Sequence, residues 1–366
     1  MDILADANRL EAAGHDIVHL EIGQPSTPAP AVARAALSAT LQGDALGYTV
    51  ALGLPELRAS IARLYGEWYN VDLDPARVIV TSGSSGAFVL AFTALFDADA
   101  RVGVSEPGYP SYRQILRALN CVPVGLPTKA PSHQMVPDDL PMDLDGVMVA
   151  SPANPTGTIL DKPHLSALIG RAKEIGADFI SDEIYHGLHY GKRAVSALEI
   201  DPDVWVINSF SKYFSMTGWR VGWMVVPEAA VRTVERLAQN LFICAPRASQ
   251  IVAQAAMEPE ARDELECHRA VYAASRQLLI DQLPGLGLPD FTAPDGAFYI
   301  YADVRHLTDH SRALAEDILA KAQVAVTPGL DFDPIRGHRT LRLSYAQSTE
   351  RVAEGLRRLR RYFDDH

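Results

Sequence analysis

The chain has 366 residues, 48% of them apolar and 21% charged, a length and balance that suit a folded protein with a sizeable core and exclude a disordered chain. Lys and Arg number 33 against 45 Asp and Glu, a net charge of −12, and no basic cluster offsets it, so nucleic acid and anionic membrane surfaces are poor partners. No apolar run approaches the roughly 20 residues of a membrane-spanning helix, and Met1-Asp2 opens without a basic-then-apolar leader, so the expectation is a cytoplasmic protein.

From Arg77 to Pro227, short apolar runs alternate with helical periodicity, the pattern of a parallel sheet covered by helices. The runs Arg77–Thr81, Val102–Val104, Cys121–Val124, Gly146–Ala150, Phe179–Ser181, Val204–Ile207 and Val221–Val225 predict an α/β fold with a seven-stranded, mostly parallel sheet sandwiched by helices. A long helical stretch is expected from Arg232 to Gln282. Beyond it, Ala297–Ile300 and Leu341–Leu343 read as strands of a smaller α+β unit, and Val352, Leu356 and Leu359 space an amphipathic terminal helix within Arg351–Arg361. The expected division is a large domain over residues 40–255 and a small domain built from 1–39 and 256–366.

Ligands of open α/β sheets collect outside the carboxyl ends of the strands, so the polar turns there carry the chemistry. Thr81-Ser82-Gly83-Ser84-Ser85-Gly86 runs from a strand into a helix, whose free N–H groups favour a phosphate. In Ser151-Pro152-Ala153-Asn154-Pro155-Thr156-Gly157 the prolines and glycine restrict the backbone around Asn154. Asp182 closes an apolar strand in Ser181-Asp182-Glu183-Ile184-Tyr185, and a carboxylate at that depth needs a cationic partner. Within Ser209-Phe210-Ser211-Lys212-Tyr213 a single lysine sits at a strand end among hydroxyls and aromatics. Partial desolvation there lowers an ammonium pKa and frees an amine able to form a Schiff base. Eight residues on, Arg220 joins Ser209 and Ser211 as an anion site. The pair His186 and His189 with Asp182 could suggest metal ligation, but no metal is expected, because the carboxylate has this better use. Cys121, Cys244 and Cys267 form no CxxC pair and read as reduced thiols.

These pieces, in this order, resemble the fold-type I, class I/II aminotransferases of the aspartate aminotransferase superfamily. The resemblance covers the whole chain and is densest from Ser209 to Gly222. It implies pyridoxal 5'-phosphate as cofactor, with Lys212 as the Schiff-base lysine that also moves the proton between substrate Cα and cofactor C4′. Asp182 is similar to the partner of the pyridine nitrogen, and Asn154 and Tyr185 resemble the pair that binds the ring hydroxyl oxygen. Tyr109, in Glu106-Pro107-Gly108-Tyr109, looks like the ring-stacking aromatic. Ser84, Ser85, Ser209 and Arg220 fall on phosphate positions. Tyr48, in Gly47-Tyr48-Thr49-Val50, looks like the tyrosine that reaches the neighbouring subunit's phosphate, which implies a homodimer. Arg342, in Leu341-Arg342-Leu343, matches the arginine that grips the substrate carboxylate, with Gly23 beside it. Asp295-Gly296-Ala297-Phe298-Tyr299 matches a pocket strand.

The chain departs from the family in two places. Little sequence precedes Gly23, so the N-terminal arm is expected to be short. After Thr327-Pro328-Gly329 the chain continues Leu330-Asp331-Phe332-Asp333, where many relatives carry glycine after the phenylalanine. The implied activity is ping-pong transfer of an amino group from an L-amino acid to a 2-oxo acid. Neutral or broad donor specificity is expected, since only Arg247 suggests itself as a second carboxylate-binding arginine. The alternatives are a carbon–sulfur β-lyase using the same cofactor and a cofactor-sensing regulatory module.

Overall fold

The computed structural model describes residues 2–365. In chain order its strands are β1 (Val18–His19), β2 (Val78–Thr81), β3 (Arg101–Glu106), β4 (Val122–Pro127), β5 (Gly146–Ala150), β6 (Asp178–Asp182), β7 (Trp205–Ser209), β8 (Gly222–Val225), β9 (Tyr299–Asp303), β10 (Val324–Ala325), β11 (Thr327–Pro328) and β12 (Thr340–Ser344). Strands β2 to β8 form one seven-stranded sheet in the order β2-β8-β7-β6-β5-β3-β4. Every pairing is parallel except those of β8, which runs antiparallel to both β2 and β7. All four residues of β2, all five of β7 and all four of β8 are buried, as continuous apolar runs covered on both faces require.

The helices are α1 (Asp2–Ala12), α2 (Ala31–Thr40), α3 (Pro55–Tyr69), α4 (Gly83–Leu95), α5 (Pro110–Ala118), α6 (Lys162–Glu174), α7 (Val231–Leu241), α8 (Arg247–Ala256), α9 (Pro259–Gln282), α10 (Ser311–Ala322) and α11 (Thr349–Asp364). The expected stretch from Arg232 to Gln282 is therefore three helices. Ile243 takes a left-handed backbone, Pro246 caps α8 and Pro259 opens α9. A proline starts a helix readily but cannot continue one, and both breaks fall there. The terminal helix α11 buries Val352, Leu356 and Leu359 as its spacing predicts.

A second sheet joins β11, β12 and β9 antiparallel, with Arg342 opposite Tyr301 and Thr327. Its strand begins at Tyr299 rather than Ala297, because Ala297 has a positive φ that no ladder accommodates. The short pair β1 and β10 completes this end of the molecule. Helix α1 buries Ile3 and Ala7 in the core.

Candidate active site

The carboxyl ends of β5, β6 and β7 are aligned by register, Ala150 beside Asp182 and Asp182 beside Ile207, so the turns that follow them open into one space. Helix α4 points its N-terminus at the same space, and the β9–β12 sheet closes it. The result is a cavity of about 750 Å³ lined by Gly23, Ser84, Ser85, Tyr109, Asn154, Asp182, Tyr185, Lys212, Arg220 and Arg342. These ten positions, spread over more than three hundred residues of chain, are all among those singled out by sequence.

Lys212 lies just after β7, and its Nζ donates to the Gly23 carbonyl at 2.6 Å. Burial pushes the ammonium down to about 7. The like charges of Arg342 and Arg220 add to that shift and Asp182 opposes it. Asp182 is 3% exposed and accepts from the Tyr112 hydroxyl and from the Ile184 N–H at 3.0 Å. Burial raises this carboxyl to about 6 against those hydrogen bonds and Lys212. Desolvation shifts each group toward its neutral form, and the opposite charge of the other partly offsets that shift.

Arg342 is buried on β12. Its Nη1 donates to Asn154 Oδ1 at 3.0 Å, and its Nη2 donates to the Glu21 carbonyl. The guanidinium lies between the rings of Tyr299, 4.3 Å from its centroid, and Phe332, at 4.6 Å. Its Nε is buried without a partner. A buried donor left open in this way costs free energy unless a ligand accepts from it. Tyr185 and Tyr299 share a hydroxyl hydrogen bond of 2.8 Å. A side chain on residue 23 would overlap the Tyr299 hydroxyl, so only glycine fits there.

At the other end, Arg220 has a left-handed backbone and its guanidinium packs against Gly83, where a Cβ would overlap it. The absence of that Cβ lets a cation sit at the N-terminus of α4, and the two together form an anion niche.

Two predicted residues stand elsewhere. Ser209 is not on the cavity wall: its hydroxyl donates to Val221 O at 3.1 Å and contacts Ser211 Oγ at 2.8 Å, and Ser211 holds the lining position instead. Strand β7 ends at Ser209 and a turn follows, so Ser211 is not held to the strand's alternation. Tyr48 is 81% exposed and outside the cavity. Arg247 also stays outside, paired with Asp44 at 2.7 Å. His186 is buried and neutral, pushed down to about 3 by burial, with Nε2 donating to Ser151 O at 2.9 Å and Nδ1 accepting from Tyr69 at 2.6 Å, so it has no nitrogen free for a metal. Sequence reading missed Tyr112, Arg113, Phe332, and Ile3 and Leu4 of α1, all of which line the wall. Tyr112, three residues past Tyr109 on one face of α5, was the one with a visible helical signal.

An amine, a buried carboxylate, an anion niche and a buried arginine around one cavity suit an enzyme that handles amino acids. The family model for aminotransferase class I and II matches residues 15–359, and the chain belongs to that family: it is an aminotransferase. It is 45% identical over 98% of its length to 94% of valine–pyruvate aminotransferase from Mycobacterium tuberculosis. Among solved structures, a candidate aminotransferase from Silicibacter pomeroyi is 59% identical with a TM-score of 0.95, covering 100% of this chain and 96% of that one. Aspartate aminotransferase from Thermus thermophilus with maleate is 30% identical with a TM-score of 0.93, covering 98% and 95%.

Proposed function

We propose that this aminotransferase uses pyridoxal 5'-phosphate and moves the amino group of a neutral, branched L-amino acid such as valine to pyruvate. The observation that carries the reading is the placement of Lys212, Asp182 and Arg342 around one cavity. The residues present fit the cofactor. The α4 N-terminus with Ser84, Ser85, Ser211 and Arg220 would hold its phosphate, Tyr109 its ring face, Asp182 its ring nitrogen, and Asn154 and Tyr185 its hydroxyl oxygen. When bound, the group supplies an aldehyde that takes up an amine and a ring that draws electrons from the substrate Cα.

Lys212 Nζ, poised near neutrality, then serves as base and acid at the substrate Cα, where a pKa near the working pH is most effective. Asp182, ionised against the cationic ring nitrogen, keeps that nitrogen protonated. Arg342 grips the α-carboxylate, and the Gly23 backbone completes the grip. Ile3, Leu4, Ile22, Leu330 and Phe332 give the cavity an apolar stretch of wall, beside Arg113, Arg117 and Arg312. That wall and the valine–pyruvate relative support the donor class.

The exposed Tyr48, with exposed Val50 and Leu41 nearby in sequence, supports a homodimer in which Tyr48 completes the partner's phosphate site. A division into residues 40–255 and the two flanking segments is supported by the seven-stranded sheet lying wholly within the first and the two smaller sheets within the second. Three free cysteines suit a reducing compartment, in keeping with the cytoplasm.

The test is the visible spectrum of the protein with pyridoxal 5'-phosphate before and after each amino acid. Valine should convert the bound cofactor to its amine form, pyruvate should restore it, and Lys212→Ala should lose at least about 1,000-fold of the turnover. Release of ammonia and pyruvate without the amine form would indicate a lyase, and binding with no conversion by any amino acid would indicate a sensor.

A further inference from the structure

Helix α5 carries Tyr109 as its N-cap and, one turn on, Arg113. Arg113 is 5% exposed and lines the cavity, so it invites a role as a second carboxylate-binding arginine. Both of its terminal nitrogens are already engaged by carbonyls. Nη1 donates to the Phe332 carbonyl at 2.9 Å and Nη2 to the Asp331 carbonyl at 3.0 Å. The Phe332 carbonyl also accepts from the Gly108 N–H at 3.1 Å, on the other side of Tyr109.

The same loop is held from its far end. Asp333 is 2% exposed, caps the Ile335 and Arg336 N–H groups at 3.0 and 2.8 Å, and binds Arg336 Nε at 2.8 Å. Arg336 in turn donates to the Glu106 and Thr128 carbonyls beside β3 and β4. Residues 329–333 are thus stitched to the β3–α5 turn by two guanidinium groups and one amide. Phe332, 2% exposed, then places its ring on one face of the Arg342 guanidinium, opposite Tyr299. A planar guanidinium held between two rings can be approached by a carboxylate only along its edge, in one plane.

We propose that Arg113 is a positioning residue: by clasping the Asp331 and Phe332 carbonyls to α5 it fixes Phe332 on Arg342, and so sets the affinity for amino acid and oxo acid without touching either. The proposal rests on Arg342 being the carboxylate grip. It ties the aromatic proposed to stack on the cofactor, Tyr109, to the group proposed to bind substrate, Arg342, through one loop. Arginine is required because its planar fork reaches two carbonyls at once, which a lysine ammonium cannot do in the same geometry.

The experiment compares wild type, Arg113→Lys, Arg113→Met and Phe332→Leu as holoenzymes. It reads cofactor affinity, thermal midpoint, 3-methyl-2-oxobutanoate affinity by calorimetry, and KM and kcat for valine and pyruvate. Arg113→Met should weaken oxo-acid binding and raise both KM values about 10-fold, with kcat within about 3-fold and cofactor affinity unchanged. Arg113→Lys should recover part of the loss through one carbonyl. Phe332→Leu, which leaves the clasp intact, should show the same KM rise, and it keeps the idea testable if Arg113→Met does not fold. Unchanged oxo-acid affinity in a wild-type-like background overturns the clasp alone. Parallel loss of cofactor affinity and thermal midpoint with kcat overturns it too, as the mark of a merely structural residue. A wild type that transfers no amino group overturns the reading of the site, and the clasp with it.

Discussion

Asp182 shows how single hydrogen bonds decide a protonation state. Buried and raised to about 6, it keeps its charge through the Tyr112 hydroxyl and the Ile184 N–H, two donors aimed at separate oxygens. Tyr112→Phe removes one of them while leaving the ring packed between Phe88 and Tyr109. A hydrogen bond to a charged group contributes about 1.5–3 kcal/mol, so kcat/KM should fall about 10-fold or more, and Asp182 should titrate higher. The pH profile of kcat/KM, moved upward on its acid limb, is the measurement; an unmoved limb would show that Tyr112 does not tune Asp182.

At the scale of elements, α4 and α1 hold opposite ends of the cavity. The first turn of α4 depends on Gly83, which has a positive φ and whose missing side chain admits Arg220. Gly83→Ala should therefore weaken cofactor affinity about 10-fold through a displaced Arg220, with a destabilisation of roughly 1–3 kcal/mol, as equilibrium binding and melting would read. Helix α1 is tied to the strand edge by His19, whose Nδ1 contacts Glu21 at 2.7 Å and Nε2 contacts Glu11 at 3.1 Å. The Glu21 hydrogen bond, with Glu11 adding to it, raises this imidazole from 6.5 to about 9. A folded-state pKa above the unfolded one means the contribution is complete below about pH 6.5 and disappears as pH rises through 9. Wild type should therefore lose stability relative to His19→Gln between pH 7 and about 9.5 in denaturant melts; parallel curves would show that the bridge contributes nothing.

At the scale of the whole molecule, the site needs two sheets and, on our reading, two subunits. The proposed phosphate niche lies at the large sheet and the proposed carboxylate grip on the small one, so on this reading cofactor and substrate together would bridge the two sheets. If Tyr48 serves the neighbouring site, Tyr48→Ala should leave the sedimentation coefficient dimeric and lower cofactor affinity about 10-fold. A monomeric wild type, or a variant with unchanged affinity, would remove Tyr48 from the phosphate site.

The amino-acid sequence by itself determined the seven strands, because each is a local apolar run bounded by turn residues, and it singled out Asp182 at the end of one run and Asn154 and Lys212 in the turns after two others. Helix breaks were legible only as prolines, and the strand start at Tyr299 was hidden because a positive φ at alanine leaves no mark in composition. Tertiary structure alone decided what meets what. Arg342 and Asn154 touch across 188 residues of chain, Lys212 and Gly23 across 189. It also decided that Ser211 rather than Ser209 lines the cavity, that Arg247 is paired with Asp44, and that both terminal nitrogens of Arg113 donate to a loop more than two hundred residues away. The reason is physical. Local sequence sets which backbone a segment adopts, but the direction of a long polar side chain is set by the nearest acceptors that burial leaves it, and those come from elsewhere in the chain.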